Sequence, residues 1–129
     1  GTAMSIKKNI TIDGMEVPFK ASAAVPRLYR LKFHRDIYKD FASLKTDVEE
    51  GDENKSELDI ESLEVFENIA YIMAKHADPE NVPDSPDDFL ERFNTFSIYE
   101  ILPQLIELWG LNTATQVESK KNIARLTGR

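Results

Sequence analysis

Residues 10–41 read ITIDGMEVPFKASAAVPRLYRLKFHRDIYKDF. Asp13-Gly14 stands between two alternating runs, Lys8–Ile12 and Met15–Phe19. A two-residue type I′ turn needs positive φ at both central positions, and Asp-Gly meets that need. The turn pairs Ile12 with Met15 and Ile10 with Val17, so one face of the hairpin is apolar. Two strands alone are marginal in water, so this face has to pack on a helix or on another subunit. Nothing in the stretch has the look of catalysis. It builds surface, which favours an interaction protein over an enzyme.

Outward from the hairpin, 21–25 is a short connection, and Pro26 falls in a first helical turn, where its missing N–H does no harm. Leu28, Leu31 and Phe33 make an apolar stripe, continued by Ile37, Phe41 and Leu44 at helical spacing. The pattern fits one helix over 27–45, or two helices broken at 33–36. The stretch 46–57, TDVEEGDENKSE, is polar and acidic and is expected as a solvated loop. Asp59 can cap a helix from Ile60 to about Ala77. Its apolar residues cover more than half of the circumference, which predicts the central buried helix, with Leu63, Phe66, Ile69, Ala70 and Met73 in the core. Asp78-Pro79 ends it.

Ser85-Pro86-Asp87-Asp88 opens a short helix with a cap, a proline and two acids, and it turns Phe89, Leu90 and Phe93 inward. Ser97-x-x-Glu100 fits a capping box for the last strong helix. Ile98, Ile101, Leu102, Leu105, Ile106 and Trp109 follow helical spacing, Pro103 predicts a mild kink, and Gly110 ends the helix. The predicted architecture is mainly α (α+β): an N-terminal hairpin, a compact domain of four to five helices over 5–110, and a flexible basic tail over 111–129. Residues 1–4 read as a tag scar, Gly-Thr-Ala, followed by the start Met4.

The chain has 129 residues, 41% hydrophobic and 30% charged, which suits one soluble domain with one core. It has no cysteine, so disulfides, thiolate metal sites and cysteine nucleophiles are excluded. Neither a signal peptide nor a run of about 20 apolar residues is visible, so a cytoplasmic location without membrane contact is expected. The net charge of −7 hides three blocks. Residues 5–45 carry nine basic and four acidic side chains, 46–108 three and eighteen, and 109–129 four and one. Such blocks either neutralise one another within the fold or match a partner, a second copy included. The acidic total opposes nonspecific binding to nucleic acid.

No catalytic, cofactor or metal site is expected. His34 and His76 lack a second ligand at i+4. The acidic stretch 78–88 lacks the glycine and the alternating register of a calcium loop. No serine sits in a nucleophile elbow. Two partner-binding candidates remain. One is an apolar patch at the end of the last helix, Leu105, Leu108, Trp109 and Leu111. The other is a basic face, Arg27, Arg30, Lys32, Arg35 and Lys39. Core packing and a solvated helix face are their ordinary alternatives.

Four words in order, ITIDGMEVPFKASA, VPRLYRLKFHRDIYKDF, LEVFENIAYIMAKHADP and FSIYEILPQLIELW, resemble the tail assembly chaperone family of long-tailed phages and prophages of Gram-positive bacteria. The resemblance spans most of 10–109 and rests on word order and hydrophobic texture, with no chemical motif. It implies a non-enzymatic protein of the host cytoplasm, without a cofactor, that holds the tape measure protein, contacts tail tube subunits and is absent from the virion. It also implies a longer frameshifted product. Lys120-Lys121 is a place where A-rich codons could slip. The chain departs from the family at His34, where the family has a glycine between the two helical words. If that position needs φ > 0, His34 is strained, or else the break is relaxed here. A homo-oligomer is expected, since the hairpin has open edges. A structural tail completion or connector subunit, and more remotely a small nucleic-acid-binding regulator, are the rival readings.

Overall fold

In the computed structural model the described residues are 6–49 and 60–110, the side chains of 45–49 apart. The chain opens with β1 (Ile6–Ile12) and β2 (Met15–Ala21), an antiparallel pair in which Ile12 faces Met15 and Ile10 faces Val17. Asp13 and Gly14 both have positive φ, 53° and 79°, as the type I′ turn requires. The strands are longer than the alternation indicated. Ile6 pairs with Ala21, beyond the runs read from the sequence.

The hairpin buries Ile10, Ile12, Val17, Phe19 and Ala21 in the common core, so it is covered within its own chain. Lys8, cross-strand partner of Phe19, reaches Glu107 with its ammonium at 3.4 Å. The turn is pinned from outside, where the Asn94 backbone N–H donates to the Asp13 carboxylate at 2.9 Å.

Four helices are α1 (Val25–Phe33), α2 (Ile37–Glu49), α3 (Ile60–Ala77) and α4 (Pro86–Leu90), and a fifth, α5, covers 98–110. The fold class is α+β. Ser22 starts α1 by accepting the Ala24 N–H on its hydroxyl and the Val25 N–H on its carbonyl. The break between α1 and α2 is real. His34 takes φ 59° and ψ 37°, the left-handed conformation, and its N–H donates to the Arg30 carbonyl at 2.8 Å. Asp36 then starts α2 by accepting the Tyr38 N–H at 2.9 Å. α2 runs to Glu49, so the first residues of the acidic stretch extend a helix rather than form a loop.

Two expected core assignments are corrected. On α1 the buried residues are Val25 and Tyr29, with Phe33 partly buried, while Leu28 and Leu31 face outward. Spacings of 3 and 4 compete on this helix. Tyr29 takes the inner position because its ring packs at a tilt against Phe33, at 5.1 Å between centroids, and its hydroxyl finds a buried acceptor in Asp40. On α3 the core holds Phe66, Ile69, Ala70 and Met73 as expected, but Leu63 is 38% exposed and Ile60 83%. That helix carries more apolar residues than its inward face can bury.

Ser85 caps α4 through the Asp88 N–H at 3.2 Å. Phe89 then anchors a ring cluster with Tyr71, Phe93 and Phe96, at centroid distances of 5.3–5.9 Å. α5 starts as the Ser97 carbonyl accepts the Ile101 N–H, passes through the exposed Pro103 and is still helical at Gly110. Its inward stripe is Ile98, Ile101, Leu102, Leu105 and Leu108. The tag scar, the Asp59 cap, most of the acidic stretch and the basic tail lie outside the described residues.

Candidate protein-binding site

α3 is the central helix, and its outward side is not uniformly polar. Ile60, Leu63, Glu64, Glu67, Asn68, Lys75 and His76, together with the buried Tyr71 and Ile72, recur at spacings of 3 and 4 and line two grooves along that side. The end of α1 stands between them, with Lys32 in the wall of one and Phe33 in the wall of the other.

The first groove, about 580 Å³, lies against the C-terminal half of α3. Leu28 and Leu31 of α1 form one wall, with Leu31 58% exposed, and Ile72 lies in the floor. Its polar groups are committed to the fold. Lys75 donates to the Pro79 and Val82 carbonyls at 2.9 and 2.7 Å and to the Asp84 carboxylate at 3.0 Å, which closes the end of α3. That lysine holds the Asp84 carboxyl below the usual range. Lys32 donates to the Asp84 carbonyl at 2.7 Å and lies 5.8 Å from the centre of the Tyr71 ring. The Tyr71 hydroxyl donates to the Pro83 carbonyl at 2.8 Å. His76 Nε2 is 2.8 Å from the Ser22 hydroxyl, and burial, followed by the charge of Lys20, lowers its pKa.

The second groove, about 540 Å³, lies against the N-terminal half of α3. Phe33, Ile60, Leu63 and Leu90 give it apolar surface, and Glu64, Glu67 and Asp87 line its edge. Burial raises the Glu67 pKa, and the neighbouring charges of Glu64 and Asp87 raise it further.

A third cluster joins α1, α2 and α3. Asp40, 9% exposed, accepts from the Tyr29 hydroxyl at 2.8 Å and from Arg35 Nε and Nη2 at 2.7 and 2.9 Å. Arg35 also reaches Glu61 at 3.3 Å. The bidentate arginine holds the Asp40 carboxyl below its usual value, while burial and Asp40 hold the Tyr29 phenol well above its own. Three helices converge on these bonds, which makes the cluster a structural clasp.

The two partner patches read from the sequence fare differently from expectation. Leu105 and Leu108 are fully buried, and Trp109 stacks on Phe41 with centroids 5.6 Å apart and planes 17° apart. Leu105 and Leu108 belong to the core because Leu108 continues the inward stripe of α5, three residues beyond Leu105, and the half-buried Trp109 packs against that core. Leu111 lies outside the described residues. The basic residues do not form one face, because the reversal at His34 turns the chain. Arg27 and Arg30 are exposed on α1, Lys32 enters the first groove, Arg35 closes the clasp, and Lys39 is exposed on α2. The groove residues missed were Leu28, Leu31, Ile60 and Leu63. The signal for them was an excess of apolar positions on α1 and α3.

Among the described residues no buried side-chain nitrogen or oxygen lacks a hydrogen-bond partner. None of their helices is long and apolar enough to cross a membrane, and no group of three or more His, Asp or Glu is placed to hold a metal ion. What remains unspent on this surface is apolar area. No protein-family model, no curated protein and no solved structure matches the chain.

Proposed function

We propose that this chain is a tail assembly chaperone of a long-tailed phage or prophage, a non-enzymatic protein of the host cytoplasm that holds the tape measure protein and meets tail tube subunits before the tube closes. One observation carries the reading: a well-packed small domain leaves Leu28, Leu31, Ile60 and Leu63 in grooves along its central helix. Grooves of this kind suit the apolar face of a helix, and a tape measure protein is a long helical client. The order of the four sequence words supports the same reading. Self-association is part of the proposal. Its basis is now the block charges and open strand edges, since α3 already covers the hairpin face.

The test is co-expression with the tape measure gene of the same tail cluster, followed by pulldown and by mass spectrometry of finished particles. The reading expects co-purification with tape measure protein and no copies in the particle. Retention in purified virions would make the chain a structural tail component. A longer product carrying this domain, detected with an antibody to it, is the further expectation, and the lack of any overlapping reading frame around codons 115–129 would count against the reading.

A further inference from the structure

The groove at the start of α3 has one sign of charge. Every ionisable side chain lining it, Glu64, Glu67 and Asp87, is a carboxylate. The arrangement is unfavourable for the isolated domain, since Glu67 is half-buried beside two like charges. Ile60 and Leu63 are apolar and exposed within the same groove. The face from Ile60 to Asn68 rises about 12 Å, or roughly two helical turns. That length accepts anchors at i, i+3 or i+4, and i+7 of a partner helix.

We propose that this groove docks an amphipathic helix whose apolar stripe is flanked by lysine and arginine. The proposal rests on the chaperone reading only for the identity of the partner, which is then a basic helical segment of the tape measure protein. The apolar stripe covers Ile60, Leu63 and Leu90, and the flanking cations neutralise the three carboxylates. Charge rules out the acidic stretch 46–57 as the occupant, and the basic stretch 109–129 is set against the peptide in the test below. The first groove differs, since its lining includes Lys32 and Lys75.

The test uses the full chain and two fluorescein-labelled helical peptides of 18 residues, on the order of five turns. They share one leucine stripe, and one carries lysine and the other glutamate on its polar face. Fluorescence anisotropy should show binding of the lysine peptide, weakened by salt, and at least roughly tenfold weaker binding of the glutamate peptide. Glu64→Gln with Glu67→Gln should lower affinity for the lysine peptide roughly tenfold, within the range for two ion pairs at the protein surface. Leu63→Ser should lower it as well, and Leu31→Ser in the other groove should leave it unchanged, with circular dichroism confirming that each variant is folded. Equal binding of the two peptides, binding of neither, or indifference to the Glu64/Glu67 variant would overturn the proposal. So would a dimer that Leu63→Ser dissociates, which would make a second copy the occupant. A gain in peptide affinity from Lys120→Glu with Lys121→Glu would also overturn it, by making the chain's own basic end the occupant. Lysine-peptide binding without tape measure co-purification would sink the chaperone reading alone, and the reverse result would sink this proposal alone.

Discussion

Replacing Asp40 tests how α1, α2 and α3 are held together. Asp40→Ala removes the acceptor of the buried Tyr29 hydroxyl and of two Arg35 donors. The Tyr29 phenol is fully buried, so an unpaired hydroxyl there costs about 1–3 kcal/mol. Arg35 is different. Its side chain is 46% exposed and regains water, so losing its pair costs about 1 kcal/mol at most. The expected total is about 1–4 kcal/mol. Tyr29→Phe, which leaves the Arg35–Asp40 pair in place, should cost about 1 kcal/mol. In the double variant the phenol is gone, so its loss should fall short of the sum by roughly 1 kcal/mol. Urea unfolding at neutral pH, with the slope unchanged, measures all three. Strict additivity, or a loss below about 1 kcal/mol for Asp40→Ala, would refute the clasp. The pH dependence has a fixed sign. The Asp40 carboxyl titrates below its ordinary value in the folded chain, so its contribution is complete above about pH 4 and is lost as pH falls through the folded value. The gap between wild type and Asp40→Asn should therefore close in acid.

Other positions carry equally definite expectations. His34→Gly should raise stability by about 1 kcal/mol, because a side chain at φ 59° is strained and glycine is not, and a loss would show that the His34 ring contributes more than the strain. Glu67→Gln should stabilise the domain by about 0.2–0.5 kcal/mol at pH 7. Its carboxyl titrates above the ordinary value, so the gain should vanish as the pH of a thermal melt falls below about pH 4. Trp109→Ala should lower stability by about 2–4 kcal/mol through the lost stack on Phe41, and an unchanged melting temperature would return this residue to the list of surface anchors.

The elements governed by local chemistry were legible in the sequence. Asp13-Gly14 announced the turn and register of the hairpin, Ser85-Pro86 the start of α4, and the apolar run from Ile60 the central helix. The break at His34 was visible as an alternative, and its left-handed backbone only as one of two options raised by the glycine of the resembled family, because a histidine by itself gives no such signal. The inward face of α1 was misread for a physical reason. Leu28 and Leu31 compete with Val25, Tyr29 and Phe33, and the outcome depends on Asp40, an acceptor eleven residues away that local patterning cannot see. The same blindness affected the candidate site. Trp109 gains a ring partner from α2 and Leu108 is buried in the core, and only tertiary packing decides both. Ile60 and Leu63 lay inside a helix correctly read as buried, and which of its apolar residues are surplus depends on how much of its circumference the neighbours cover.

The proposed function places a helical client on the outward face of α3. The most direct measurement is pulldown of the co-expressed tape measure protein by wild type and by Leu31→Glu with Leu63→Glu, both positions being exposed so that the fold is spared. The variant should melt near wild type and lose most of the tape measure protein. A folded variant that retains wild-type capture would contradict the proposed function.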